Sequence, residues 1–266
     1  MFRALIAVLL AFAAADLPKP LTEMADTERA FARRAAQVGV RDSFLEFFAD
    51  DAIRFGDAPE PAKPFLRQVK PQTPSVVELL WEPRVGDVAA SGELGWLSGP
   101  ASRIVHGADV PVTELAYFSI WKRQADGAFR VLIDQGITTP GVAEFAPGFA
   151  RVDARDRYAG AGGANAQTTL ASADRAATPP LAADGRLYRD GMLPFVGDAA
   201  RARQRVERGR RTAPLHAEAA RSGDVGFTYG RYEHAPDDEA GHYVRVWSRR
   251  RSGKWLVALE VTAPKR

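Results

Sequence analysis

The chain has 266 residues and a formal net charge of +3, and 46% of its residues are hydrophobic while 26% are charged. These values are typical of a globular protein and exclude a collagen-like, fully disordered or disulfide-scaffold chain. The near-neutral balance implies no dedicated polyanionic partner, so no nucleic acid is expected. The sequence contains no cysteine, which excludes disulfides, a thiolate nucleophile and cysteine-based zinc sites.

The first fifteen residues predict a signal peptide. Arg3 precedes the apolar run 4–12, which is too short to span about 30 Å of hydrocarbon comfortably. Small residues at 13–15 then supply a cleavage site, so the mature chain is expected to begin at Asp16. The chain is therefore predicted to be periplasmic or secreted, with no membrane span after removal of the signal. An N-terminal core helix is the alternative.

The next segment predicts two helices followed by strands. Phe31, Ala35 and Val38 form an apolar stripe that predicts a helix over 22–38. Ser43 and Glu46 have the spacing of a capping box and predict a second, short helix. The period then changes to two, which predicts strands at 53–55, 76–81, 88–97, 112–123 and 129–137.

Residues 141–165 are rich in Gly and Pro and predict a linker. Beyond it the order repeats, with helices expected near 166–175 and 198–208 and strands near 184–189, 213–220, 224–233, 241–250 and 254–262. The fold class is therefore α+β, with a first domain over 16–140 and a second over 166–266. A single continuous sheet is the alternative.

Three pairs of segments suggest an internal repeat. Residues 117–132 and 243–257 share the pattern Y-x-x-x-W, a turn with Gly, and an aromatic followed by apolar residues, at a spacing of 126. Residues 49–57 and 182–190 match more weakly at a spacing of 133. Gly86–Asp87–Val88 is echoed by Gly223–Asp224–Val225. Each Y-x-x-x-W segment predicts a β-hairpin.

These helices, the A-D-D-A strand and the closing hairpins resemble the nuclear transport factor 2-like superfamily, in its branch of bacterial domains of unknown function. The resemblance implies two cone-shaped domains, each with N-terminal helices packed in a curved antiparallel sheet around a pocket. It covers about four fifths of the mature chain. The superfamily includes ketosteroid isomerases, polyketide cyclases, limonene epoxide hydrolases and dehydratases, together with members that have no catalytic activity, so fold alone does not assign a function.

Two carboxylates hold the same position in the last strand of each unit, and both are candidate catalytic residues. Asp134 lies five residues after Phe129, and Glu260 lies five after Trp255. In an apolar pocket, desolvation would raise the pKa of such a carboxyl and suit it to general acid–base chemistry. The alternative is a solvated carboxylate or one paired with arginine. Strand alternation places Asp134 with Arg130 and Leu132 on one face.

Aromatic residues and one histidine complete the candidate pocket, and core packing is the alternative for the aromatics. They are Tyr117, Trp121, Trp96, His106, Tyr243 and Trp247. The four histidines lack a metal-binding spacing, so no metal is expected, and no cofactor is expected either. The arginine-rich stretch 201–211 is interpreted as a solvated helix face.

The sequence thus predicts an exported protein that binds a small apolar ligand or a protein partner without catalysis. The alternative is a cofactor-free isomerase, cyclase or dehydratase that uses a pocket carboxylate as general acid or base. Two units in one chain can form the pair that single-domain relatives form with two chains, so a monomer with an intramolecular pseudo-dimer is expected.

Overall fold

The fold is taken from a computed structural model that describes residues 17–110, 112–152, 156–160, 163–234 and 238–264. The predicted signal peptide, residues 1–15, lies outside these ranges. None of the helices in the described part of the chain is long and apolar enough to cross a membrane.

The helices lie before and between the strands of each unit. Their bounds are α1 Lys19–Val38, α2 Val40–Phe47, α3 Ala62–Gln68, α4 Gly163–Asp174 and α5 Asp198–Val206. Helix α1 turns an apolar face towards the first sheet, and on this face Leu21, Met24 and Phe31 are fully buried. Phe31 packs edge-on against Phe44 of α2 and Trp81, so the two N-terminal helices share one core with the strands.

The first sheet has eight strands and follows the order β2-β1-β7-β6-β5-β4-β8, with β3 also paired to β5. The bounds are β1 Phe48–Phe55, β2 Pro59–Pro61, β3 Val77–Trp81, β4 Val85–Val88, β5 Leu94–Val105, β6 Val112–Arg123, β7 Phe129–Thr138 and β8 Ala150–Arg151.

The second sheet has six strands in the order β10-β9-β14-β13-β12-β11. Its bounds are β9 Leu181–Arg189, β10 Phe195–Val196, β11 Arg211–Ala219, β12 Val225–His234, β13 Glu239–Arg249 and β14 Trp255–Pro264. The chain is therefore α+β, with two mixed sheets.

The prediction of purely antiparallel sheets is wrong, because each sheet contains a parallel pair next to its first strand and the first sheet has a second parallel pair, β4 with β8. Strand β1 runs parallel to β7, and β9 runs parallel to β14. After the first strand the chain crosses to the other side of the sheet and returns through antiparallel pairs. The strand that completes this return, β7 in the first sheet and β14 in the second, runs in the same direction as its neighbour β1 or β9.

Two local expectations are also wrong. The strand predicted over 88–97 is two strands, β4 and β5, joined by a turn in which Gly92 adopts a φ of 76°. Ser43 does not cap a helix, because it lies inside α2 and its hydroxyl donates to the Val40 carbonyl at 2.9 Å. The short elements α3, β2, β8 and β10 were not predicted, since each is too short to show a period.

The segment predicted as a linker is packed against the first sheet over part of its length. Strand β8 pairs with the edge strand β4, and the Ala150 N–H donates to the Arg84 carbonyl at 2.9 Å. Ala143 and Val152 are buried, and α4 begins at Gly163. This part of the chain therefore contributes apolar contacts of its own.

The two sheets contain hairpins with the same irregularity. Pairing of β6 with β7 steps over Leu132, and pairing of β13 with β14 steps over Ala258, a spacing of 126. The bulge at Leu132 interrupts the alternation of side chains, so the prediction that Asp134 shares a simple face with Arg130 and Leu132 is wrong.

The predicted Gly-Asp-Val match joins residues in different places. Asp87 lies on β4 opposite Trp96, whereas Asp224 lies in the turn before β12. The matching pairing registers instead align residues 91–96 with 222–227, at a spacing of 131. Asp224 therefore corresponds to Glu93, and Asp87 corresponds to Glu218.

Candidate functional site

A cavity of about 100 Å³ lies between α2 and the first sheet. It is mostly apolar, and its polar groups come from neighbouring strands β6 and β7. The lining residues are Phe44, Leu79, Trp81, Ala101, Leu115, Tyr117, Asp134 and Gly136.

The register of β6 and β7 brings the phenol of Tyr117 and the carboxyl of Asp134 to the same cavity. Tyr117 lies opposite Gly136, and Ser119 lies opposite Asp134. Directly opposed residues of an antiparallel pair project from the same face of the sheet, as do residues two apart on one strand. Because position 136 is glycine, no side chain at this position fills the space beside the Tyr117 ring.

Both polar groups are in an unusual state. The Tyr117 hydroxyl is buried and has no hydrogen-bond partner in the described part of the chain. No hydrogen bond or ion pair between described residues involves the Asp134 carboxyl. Burial, reinforced by the nearby Glu28, raises the pKa of Asp134 well above its ordinary value of 3.8. An unsatisfied buried hydroxyl costs about 1–3 kcal/mol, so this pair is poised to take a polar partner.

Glu28 of α1 lies fully buried behind the cavity and organises its inner end. Its carboxylate accepts hydrogen bonds from the Trp81 indole at 2.6 Å, the Ser119 hydroxyl at 2.5 Å and the Trp121 indole at 2.8 Å. Burial nevertheless raises the pKa of Glu28, against the effect of these three donors. Sequence analysis missed this residue. The available signal was a carboxylate on the apolar stripe of α1, between Met24 and Phe31.

In the second sheet, salt-bridged side chains fill the corresponding place. Glu260 accepts from the Arg245 Nε at 2.6 Å and from an Arg189 Nη at 2.6 Å. Arg245 also donates to Asp174 at 2.7 Å, and the Tyr243 hydroxyl donates to the same carboxylate at 2.6 Å. Only about 30 Å³ of space remains beside the cluster.

This pairing decides the charge state of Glu260. Burial alone would raise the pKa of the carboxyl, but Arg245, Arg189 and Arg210 outweigh it and lower the pKa to about 2. The pKa of Asp134 is thus shifted in the direction expected for a carboxyl in an apolar pocket, whereas the pKa of Glu260 is shifted in the opposite direction. For Glu260 the arginine-paired alternative is correct, and the residue is not suited to act as a general base near neutral pH.

The remaining candidates lie outside the cavity of the first sheet. Trp96, Trp121 and Trp247 are fully buried in the core, and the Trp247 indole donates to the Thr228 hydroxyl at 2.9 Å. His106 lies in an exposed turn, with its Nε2 3.3 Å from Glu78. Among the residues the structure describes, no three metal-ligating side chains cluster.

Comparison with known proteins returned distant structural likenesses only. No family model and no curated protein matches the chain. A "putative ketosteroid isomerase" from Parabacteroides distasonis ATCC 8503 is 12% identical, with a TM-score of 0.34, over 46% of this chain and 92% of that chain. A conserved protein from Planctomyces limnophilus DSM 3776 is 14% identical, with a TM-score of 0.33, over 44% and 98%. Likenesses this distant assign neither a family nor an activity.

Proposed function

We propose that the cavity of the first sheet binds a small, largely apolar molecule that carries one oxygen function. The observation that supports this is a pair of polar groups in an otherwise apolar cavity, the Tyr117 hydroxyl and the Asp134 carboxyl, for which the described residues supply no hydrogen-bond partner. Binding sites of this type combine apolar walls with a few convergent polar groups.

The chemistry of the pair defines the ligand class. A carboxyl with a raised pKa is protonated over a wider pH range and then donates a hydrogen bond, as a phenol does. Two converging donors suit a carbonyl or ether oxygen. A dry apolar cavity of about 150 Å³ accommodates benzene, so the enclosed part of this ligand is about ring-sized or smaller.

Cyclopentanone and cyclopentane form a matched pair of probes for this proposal. Ligand-observed NMR with the full chain is expected to show saturable binding of the ketone and at least tenfold weaker binding of the hydrocarbon. Tyr117→Phe and Asp134→Ala are each expected to weaken ketone binding about tenfold, whereas Asp126→Ala, at an exposed carboxylate, leaves it unchanged. Equal binding of both probes, or no effect of the two cavity variants, would contradict the proposal.

A second candidate function, acid–base catalysis, is favoured by the position of Asp134 beside Tyr117. Once ionised, Asp134 can remove a proton from the carbon next to a bound carbonyl while the Tyr117 hydroxyl donates to the oxygen that gains charge. In D2O the protein is then expected to accelerate deuterium incorporation at this carbon of cyclopentanone, and Asp134→Asn should abolish the acceleration. Unchanged exchange in this variant would exclude the mechanism.

We further propose that the chain belongs to the nuclear transport factor 2-like superfamily and arose by tandem duplication, with cone-shaped domains over 16–140 and 166–266. The common bulge and the register spacings of 126, 131 and 133 support the duplication. Export with cleavage near Ala15 and a monomeric state follow as expectations. Mass spectrometry of the protein from its own host tests cleavage, and light scattering tests the monomer.

A further inference from the structure

Strand β8 and the segment that follows it hold the two sheets together at their junction. We call residues 150–152 and 156–158 the arm. Arg157 of the arm donates to the Val88 carbonyl at 2.7 Å, forms an ion pair with Asp87, and lies 3.2 Å from an Asp224 oxygen. One guanidinium therefore serves two carboxylates that are almost completely buried, one from each sheet.

Backbone hydrogen bonds fix the arm on the tip of the β13–β14 hairpin. The Tyr158 N–H donates to the Arg249 carbonyl at 3.0 Å, and the Arg251 N–H donates to the Asp156 carbonyl at 2.8 Å. This pairing is a single antiparallel bridge between Arg157 and Arg250 at the end of the hairpin. The arm is therefore held by main-chain bonds and by arginine together.

The junction beneath the arm has local twofold symmetry. The Ser91 N–H donates to the Ser222 hydroxyl at 3.2 Å, and the Ser222 N–H donates to the Ser91 hydroxyl at 3.1 Å. Likewise Ala90 donates to Asp224 at 3.1 Å, and Arg221 donates to Glu93 at 2.7 Å. These four bonds form two reciprocal pairs, so residues at a spacing of 131 take equivalent places on the two sides of the junction.

The counterpart of the arm site is an open groove of about 630 Å³, which we call the partner groove. The strand pairings of the two sheets align at a spacing of 131 residues. Glu218 therefore corresponds to Asp87, and Asp224 corresponds to Glu93. The tip of the β6–β7 hairpin corresponds to that of β13–β14. The residues of the groove that correspond to arm contacts are Glu93, Arg123, Gln124, Ala125, Glu218 and Ala219.

The charges of the groove are incompletely matched. Lys122 lies 2.7 Å from Glu218, and the largely exposed Arg221 lies 3.6 Å from Glu93. The second carboxylate oxygen of Glu93 is buried and has no hydrogen-bond partner in the described part of the chain. Within the same part, no cation bridges Glu93 and Glu218 as Arg157 bridges Asp87 and Asp224.

We propose that the partner groove binds an extended peptide segment of another protein that presents an arginine between Glu93 and Glu218. The occupied arm site shows how such a segment is held, and the buried Glu93 oxygen accounts for the preference for a cation. Arginine suits the place better than lysine because its planar fork can serve two carboxylates at once. The inference does not depend on the ligand of the first-sheet cavity.

The probe is a labelled synthetic peptide with the sequence of residues 149–158, titrated into the full chain and followed by fluorescence anisotropy. Saturable 1:1 binding is expected, and it should weaken at least tenfold when all three peptide arginines, at 151, 155 and 157, are replaced by glutamine. The double variant Glu93→Gln/Glu218→Gln should lose at least tenfold in affinity. Glu144→Gln, an exposed carboxylate remote from the groove, is the matched control.

Three results would overturn the proposal. The first is the absence of saturable peptide binding to the unsubstituted protein when its melting curve shows that it is folded. The second is binding that Asp87→Asn changes and the groove variant does not, which means that the peptide displaces the arm. The third is a concentration-dependent dimer in sedimentation that the groove variant abolishes, which assigns the groove to a second copy. Amide protection at 216–220 on peptide binding would support the groove even if a variant unfolds.

Discussion

The same position in the two sheets carries a carboxylate in two opposite states. Asp134 is half-buried and Glu260 is buried, yet the pKa of Asp134 is raised and that of Glu260 is lowered. The difference comes from the neighbour on the adjacent strand, which is Ser119 in the first sheet and Arg245 in the second. Burial therefore does not fix the charge of a carboxyl, because arginines at hydrogen-bond distance, here Arg245 and Arg189, reverse its effect.

The same exchange decides which sheet keeps a usable cavity. A serine leaves space beside Asp134, whereas the arginine fills it and binds both Glu260 and Asp174. The tyrosines follow this pattern, since the Tyr243 hydroxyl donates to Asp174 while the Tyr117 hydroxyl has no partner in the described residues. The second sheet thus satisfies its buried polar groups with its own side chains, whereas the first directs two polar groups into a cavity.

The largest effect is expected where the ion cluster is broken. Glu260→Gln leaves Arg245 and Arg189 without their shared carboxylate and should lower the free energy of unfolding by about 3–5 kcal/mol, measured by urea titration at pH 7. Glu46→Gln is the control, because its pair with Arg34 is exposed and should cost less than about 1 kcal/mol. If Glu260→Gln loses as little unfolding free energy as the Glu46→Gln control, the cluster adds nothing to stability.

Acid should destabilise the second unit through the same carboxylate. The folded-state pKa of Glu260, about 2, lies below the ordinary value of 4.5. Its contribution is therefore complete above the unfolded pKa and is lost as the pH falls from about 5 to 2. The Glu260→Gln variant should show a smaller fall in unfolding free energy over this range, and an equal fall would assign the acid sensitivity to other groups.

A matched pair of tyrosine variants separates the two sites. Tyr243→Phe removes a hydrogen bond to a buried carboxylate and should cost about 1.5–3 kcal/mol. Tyr117→Phe removes a buried hydroxyl for which no described residue is a hydrogen-bond partner, and it should leave stability within about 1 kcal/mol of the parent, or raise it. Thermal unfolding of both variants tests this, and an equal loss would show that Tyr117 has a structural role.

The smallest effect is expected at Asp134. Its pKa is raised on folding, so folding is favoured while the carboxyl is protonated, and this advantage is lost as the pH rises above about 4. Asp134→Asn should therefore gain about 1 kcal/mol relative to the parent near pH 7, with the difference shrinking towards pH 3. A variant that is less stable than the parent at neutral pH would indicate a missed partner of the carboxylate.

Sequence reasoning located most of this architecture because the hairpins carry strong local signals. Alternating apolar residues and glycine turns define β6, β7, β13 and β14 within a few residues. The bulges at Leu132 and Ala258 were not predictable, since they depend on pairing between strands rather than on the order of residues along one strand. The parallel edge pairs were missed for the same reason.

The candidate site was predicted only in part. Tyr117 and Asp134, which the sequence offers as candidates, line a cavity, but the sequence offers their equivalents Tyr243 and Glu260 in the same way. The distinguishing residue is Arg245, a cation in the middle of an apolar strand, at the position that serine holds in the first repeat pattern. Glu28 was missed because its importance comes from the three donors that the sheet directs at it.

Carbon-13 NMR titration of the side-chain carboxyls tests the central contrast most directly, because Asp134 and Glu260 are followed in the same intact protein. Asp134→Asn and Glu260→Gln variants assign the two signals. The account predicts that Asp134 titrates well above 3.8 and Glu260 near 2. An Asp134 that titrates at or below 3.8, or a Glu260 that titrates at or above 4.5, would contradict the contrast between an open cavity in the first sheet and a salt-bridge cluster at the same place in the second.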